Sequence, residues 1–293
     1  MRKYLGEIGL IITAIIWGSG FVATSIALSY YTPYQTMAIR FLVGGVILSL
    51  LFYKKITSLS KQVLKKGTIL GTILYIAFAL QTVGLQYTTP SKNAFITAIN
   101  VVIVPLIAFV FYRKKLNRYE VIGAILAVVG VGFMSLQLSG AAINIGDFLT
   151  FLCAIGFAFH IVYTSKFVEN EDPIQLTIVQ LFTAAIIAFI VITIKGELVM
   201  PFEPVTLIPV LYLGLFSTAV AYVLQTSGQK LVSETKTAII LSTEALWGMV
   251  FSIIILSELI TVRMMIGAVL ILLAIVISET KLNFSRALSR QRL

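Results

Sequence analysis

The chain has 293 residues, of which 59% are hydrophobic and 12% charged, and its mean hydropathy is +1.01. A water-soluble domain carries about 25% charged residues, so this chain cannot face water throughout, and lipid must be the solvent for much of it. The formal net charge of +10 does not indicate nucleic acid, because the basic residues sit between apolar runs and at the termini rather than along one helical face. The single cysteine, Cys153, excludes an internal disulfide.

A helix needs about 20 apolar residues to cross a hydrocarbon core about 30 Å thick. The first predicted span covers residues 6–29, after Met1-Arg2-Lys3. Its apolar run is longer than that of a cleaved signal peptide, so it is read as a mature helix. Four more spans follow at 35–53, 68–87, 93–112 and 119–137. A second group lies at 146–165, 174–195, 205–226, 237–257 and 263–279. The sixth and seventh carry polar residues and the ninth carries Glu244, so these have the weakest apolar signal. The loops are too short to hold a soluble domain.

Lysine and arginine counts orient the spans. With the N-terminus inside, one side receives Arg2, Lys3, Lys54, Lys55, Lys61, Lys65, Lys66, Arg113, Lys114, Lys115, Arg118, Lys166, Lys230, Lys236, Lys281, Arg286, Arg290 and Arg292. The other receives Lys92, Lys195 and Arg263. Both termini are therefore expected in the cytoplasm, and the protein as a multi-pass component of the cell membrane.

The chain repeats itself. Shifted by 144 residues, Leu80-Gln81-Thr82-Val83-Gly84 falls on Leu224-Gln225-Thr226-Ser227-Gly228, Lys92 on Lys236, and Gly123 and Ala124 on Gly267 and Ala268. Shifted by 140, Glu7 falls on Asp147, Thr24-Ser25 on Thr164-Ser165, and Pro33 and Gln35 on Pro173 and Gln175. Leucine and alanine matches arise by chance in apolar sequence; matches at Gln, Lys, Pro and Gly do not. The reading is a duplication, 1–139 and 140–293, with five spans per copy. Five is odd, so the second copy enters the membrane inverted. Inverted repeats are a recurring design of secondary transporters, with the solute site near the midplane between the copies.

These residues resemble the drug/metabolite transporter superfamily, in particular its EamA-type members. The likeness rests on Trp17-Gly18-Ser19-Gly20-Phe21, Pro33 with Arg40-Phe41, the run from Asn100 to Pro105, Leu256-Ser257-Glu258, and Gly267. No single piece is specific, but their order, spacing and duplication are. The resemblance implies an all-α protein of ten helices around a central cavity lined by helices one, three, four, six, eight and nine. It also implies export of amino acids, other metabolites or amphipathic compounds, usually driven by an ion or solute gradient. The family often has a proline after the glutamate of the ninth helix. Here the run is Thr243-Glu244-Ala245-Leu246-Trp247-Gly248, so the resemblance does not carry a kink to this position.

Polar groups inside spans are costly and mark function by default. Glu244 follows Lys236 by eight residues, about 12 Å along a helix, which places it near the midplane. There it suits either proton exchange or a cationic group, with packing as the plain alternative. Its repeat mate is Asn100. Lys92 and Lys236 are mates at opposite mouths and suit the steering of an anionic group, or simple snorkelling. Arg40, mate of Gln180, lies about 9 Å into the second helix and either faces the interior or snorkels. Gln81 and Gln225 are expected to point inward, to solute or to a neighbouring helix. Trp17 and Trp247 are deeper than an interfacial belt and suit stacking on a ligand or packing. Ser19, between two glycines, suits close helix approach or a cavity wall. His160 has no companion ligands for a metal and is read as a hydrogen-bonded bundle histidine, able to titrate near neutral pH.

An intramembrane enzyme would need paired aspartates, HExxH or a supported Ser-His arrangement, and none is present. A channel needs a continuous polar lining, and polar residues are sparse. The expectation is a secondary transporter, exporting amino acids or related small metabolites by alternating access, with a multidrug-type exporter of lipophilic cations as the alternative. No cofactor or metal is expected, the partners are a small solute and the bilayer, and a monomer is compatible with this reading.

Overall fold

The computed structural model describes residues 2–112, 118–135 and 144–280, and every regular element among them is a helix. Helices α1 (Arg2–Ala27) and α2 (Pro33–Leu51) lead through a single turn, α3 (Tyr53–Ile56), to α4 (Lys61–Leu85). The next apolar run is divided into α5 (Pro90–Thr97) and α6 (Asn100–Tyr112), and α7 (Arg118–Ser135) follows. Then come α8 (Ile145–Phe167) and α9 (Pro173–Ile194). One further run combines α10 (Pro204–Tyr212), a π-helical stretch (Leu213–Val220) and α11 (Ala221–Gln229). The chain continues through α12 (Glu234–Ser242), α13 (Glu244–Leu256) and α14 (Val262–Thr280).

Among the described residues, eight helical runs are long and apolar enough to cross a membrane, and Val121–Phe133 and Val262–Ile277 form two shorter apolar helices. Several residues behind the charge count (Arg113, Lys114, Lys115, Lys281, Arg286, Arg290 and Arg292) lie outside the described residues, as does the expected boundary at 139 and 140.

Helix starts follow local chemistry. Thr32 and Gln35 form a capping box on α2, with Pro33 in its first turn: Gln35 N donates to Thr32 Oγ1 at 3.2 Å and Thr32 N to Gln35 Oε1 at 3.0 Å. At α9, Asp172 plays the capping part, accepting from Ile174 N at 3.0 Å and Gln175 N at 3.1 Å, again with proline next. The side chains of these two glutamines also staple distant loops. Gln35 Nε2 donates to the carbonyls of Glu197 and Val199 at 2.8 and 2.9 Å, and Gln175 Nε2 to those of Lys55 and Ser58 at 2.8 and 3.3 Å.

The bundle is apolar outside and partly polar inside. Leu50, Ile190, Ile254 and Val269 are exposed, while Thr13, Arg40, Gln180 and Thr226 are buried. That inversion of the soluble pattern is what a hydrocarbon solvent imposes. Packing partners recur in matched sets: α1 lies on α13 and α8 on α6, α1 on α11 and α8 on α4, while α2 meets α9 and α7 meets α14. Close crossings use glycine. A Cβ at Gly84 of α4 would lie 2.8 Å from the Gly146 carbonyl of α8, so no side chain fits there.

Candidate functional site

Two helices break at equivalent points in the interior. Between α12 and α13, Thr243 N donates to Ile240 O at 3.2 Å and Leu246 N to Thr243 O at 3.1 Å, a tightened turn. The break needs no proline. The hydroxyls of Ser242 and Thr243 donate at 2.7 Å to the carbonyls of Ile239 and Ile240 and compete with the ladder. Between α5 and α6, Ile99 N donates to Ile96 O and Val101 N to Ala98 O, both at 3.2 Å. Asn100 and Glu244 are therefore the first residues of α6 and α13.

Both line a central cavity with about 630 Å³ of unfilled space, counting the part open at its mouth. Its walls come from α1, α4, α5, α6, α8, the π stretch, α11, α12 and α13, the helices the resemblance implies, and from α2 through Arg40. Arg40 faces inward, only 2% exposed. Its Nε donates to Thr218 Oγ1 at 3.1 Å and its Nη2 to Ser217 Oγ at 3.2 Å, and its guanidinium lies 4.3 Å from the centre of the Phe78 ring. Glu244 is 5% exposed. Among the described residues, neither Arg40 nor Glu244 has an oppositely charged side chain within ion-pair distance.

Amides complete the polar lining. Gln81 Nε2 donates to Thr97 Oγ1 at 3.1 Å, and Asn93 Nδ2 to Thr150 Oγ1 at 2.8 Å. His160 Nε2 donates to Gln180 Oε1 at 2.8 Å, which ties α8 to α9. The Oδ1 atoms of Asn93 and Asn100, Gln225 Oε1 and the Tyr222 hydroxyl are buried without a hydrogen-bond partner among the described residues. Four aromatics close the space: Trp17 lies 5.2 Å from Tyr222, Phe78 lies 5.1 Å from Phe157, and Phe78 lies 6.3 Å from Tyr222 between ring centres. Trp17 Nε1 donates to the Ser217 carbonyl at 3.0 Å.

Of the residues singled out by sequence, Trp17, Arg40, Gln81, Asn100, His160, Gln225 and Glu244 share this cavity. Ser19 and Trp247 do not. The Ser19 hydroxyl donates to Ile16 O at 2.7 Å and lies 2.5 Å from the Tyr212 hydroxyl, joining α1 to α10. Trp247 is 37% exposed, with its ring beside Phe251 on the outer face. α1 and α13 meet closely beside it: a Cβ at Gly18 would run into Trp247 Cβ and lie 2.9 Å from Gly248 N.

Lys92 and Lys236 are both ion-paired. Lys92 Nζ lies 3.5 Å from Asp147 Oδ2, and Lys236 pairs with Glu7. Tyr222, Phe78, Phe157, Asn93, Thr97 and Ser217 were not singled out and belong to the lining. A signal for three of these aromatics existed in the repeat: Phe78 falls on Tyr222 at a shift of 144, and Trp17 on Phe157 at 140.

A lipid-facing helical bundle that encloses charged and amide groups between interrupted helices has the architecture of a membrane transporter. The EamA-like transporter family matches residues 4–136 and again 144–280, and the chain belongs to that family. An uncharacterized transporter of Archaeoglobus fulgidus is 31% identical over 280 residues, spanning 94% of this chain and 86% of that protein. The uncharacterized transporter YyaM of Bacillus subtilis is 25% identical over 281 residues, 89% of each. A protein crystal structure with 14% identity shares the fold at a TM-score of 0.71, over 95% of this chain and 98% of that one. The family and these relatives are transporters, not enzymes.

Proposed function

We propose that this protein is a secondary transporter that exports amino acids or closely related small zwitterions by alternating access. The observation that carries the reading is one central cavity holding a guanidinium and a carboxylate, Arg40 and Glu244, neither of them ion-paired among the described residues. Buried charges without partners are costly. A solute bearing both a carboxylate and an ammonium group answers both charges, and the free amide oxygens of Asn100 and Gln225 offer the ammonium further acceptors. A lipophilic cation would answer Glu244 and the aromatic walls, yet it would face Arg40. Export is the direction the family resemblance implies.

The accompanying architecture is ten spans in two inverted five-helix copies, 1–139 and 140–293, with α7 and α14 as the fifth and tenth. Support comes from the two separate family matches, the matched packing sets, and the glutamine staples of Gln35 and Gln175. The lysine and arginine excess favours cytoplasmic termini in the cell membrane.

The test is ligand-dependent thermal unfolding of the detergent-purified protein, screened over amino acids, other metabolites and lipophilic cations. A solute that binds only the folded state raises its melting temperature. The reading expects stabilisation by one or more amino acids that Glu244→Gln abolishes. Stabilisation confined to cations would overturn it.

A further inference from the structure

Building on the alternating-access reading, we propose that Glu7–Lys236 and Asp147–Lys92 are two equivalent latches, one at each end of the cavity, and that the protein opens to either side by releasing one of them. Lys92 and Lys236 are repeat mates, and so are Glu7 and Asp147. The duplication alone does not say which lysine meets which acid. In the structure each lysine reaches the acid of the opposite copy: Lys236 pairs with Glu7, and Lys92 with Asp147.

The two pairs lie at opposite ends. Glu7 is near the start of α1, and Lys92 opens α5 after three antiparallel crossings by α1, α2 and α4. Each pair also ties down a half-helix that leads to the cavity. Lys236 opens α12, whose next residues lead to Leu241 and Glu244 in the cavity wall, and Lys92 opens α5, which leads to Thr97 and Asn100. In both cases eight residues, about 12 Å of helix, separate the lysine from the break and the site. Each half-helix is therefore tied at its outer tip to the first helix of the other copy. With both ties made, both half-helices are held at their outer tips.

The latches differ in burial. Asp147 is fully buried, its Oδ1 accepts from Thr88, and among the described residues Oδ2 has only Lys92 facing it. The Glu7–Lys236 pair is wetter, with side chains 19% and 43% exposed. Releasing Lys92 strands a buried carboxylate, whereas releasing Lys236 strands groups already near solvent. The Glu7 end should thus open more readily. The glutamine staples of Gln35 and Gln175 are neutral and join α2 and α9 to loops, so they hold the frame rather than the half-helices.

The experiment needs no solute, so its failure is distinguishable from failure of the substrate reading. A reporter, Leu241→Cys in a Cys153→Ala background, is placed in vesicles of known sidedness and labelled with an impermeant maleimide from each side. Glu7→Gln should raise labelling from the Glu7 end about fivefold without raising it from the other. Asp147→Asn should do the reverse. The reversed pair Glu7→Lys with Lys236→Glu should restore the wild-type rates. Equal effects of both variants on one side, no effect of either, or no rescue by reversal would overturn the proposal. Should Asp147→Asn fail to fold, disulfides formed between Lys92→Cys and Asp147→Cys, or Glu7→Cys and Lys236→Cys, decide it instead. Each must block labelling from its own end only, and blockage of neither or of both ends refutes the latches.

Discussion

Replacing Arg40 by leucine separates a role in folding from a role in binding. The guanidinium makes charge-assisted bonds to Thr218 and Ser217 and lies over Phe78. Such bonds contribute about 1.5–3 kcal/mol each, and a desolvated cation–π contact about 2 kcal/mol. Against these stands an effective desolvation cost of several kcal/mol for an ion with no counter-charge. The terms nearly cancel, and the freed hydroxyls of Ser217 and Thr218 can turn back to carbonyls of their own helix. Arg40→Leu should therefore change the stability of the solute-free protein by about 1 kcal/mol or less, roughly 2–4 °C in melting temperature. Binding should behave differently. Stripping a buried carboxylate of its partner costs about 2–5 kcal/mol, at least about thirtyfold in Kd. The assay is thermal unfolding in detergent, with and without the amino acid that stabilises the wild type. A drop above about 10 °C without solute, combined with an intact solute-induced shift, would refute the reasoning and make Arg40 a structural residue.

Gln35→Leu removes two loop bonds and half of a capping box. It should lower thermal stability by about 2–3 kcal/mol and leave the Kd of the stabilising solute unchanged in calorimetry. Gly84→Val drives a side chain into the Gly146 carbonyl. It should cost about 1–3 kcal/mol, read as an earlier melting transition. Asp172 lies between α8 and α9, outside the spans. Burial raises its pKa, but the Lys55 ammonium and the Gln175 and Ile174 N–H groups outweigh burial and hold it below the ordinary value of 3.8. A depressed pKa contributes stability that is present above the unfolded value and lost as pH falls through the folded one. Unfolding midpoints measured from pH 6 downward should show this loss below about pH 4, and Asp172→Asn should remove that part of the pH dependence.

The spans were legible because lipid selects runs of about 20 apolar residues, and each predicted run has a helix within it among the described residues. The interruption at Thr243 was not legible. It comes from two hydroxyls rather than proline, and a serine–threonine pair in a helix usually passes as neutral. The π stretch was hidden for a related reason: one extra residue in a leucine- and alanine-rich run leaves no mark in hydropathy. Within the site, Glu244, Asn100, Gln81 and Gln225 stood out because polar groups in hydrocarbon need a reason. Phe78, Phe157 and Tyr222 did not, since aromatics blend into an apolar background. Trp247 shows the remaining limit. Its depth was readable, but which way its ring turned depends on how α13 packs on α1, which hydropathy does not record.

Arg40 has Gln180 as its repeat mate, and Glu244 has Asn100. In the proposed two-copy arrangement, the two cavity charges each occur in only one copy. A solute held at one end by the guanidinium and at the other by the carboxylate has a single seat, and inverting the scaffold does not create a second, reversed one. Under the proposed alternating access, such a cargo would keep its heading while the walls exchange places around it. The chemical end that arrives first at one mouth would then leave first through the other. Solutes too long to travel along that fixed axis would be refused by orientation alone, whatever their charge.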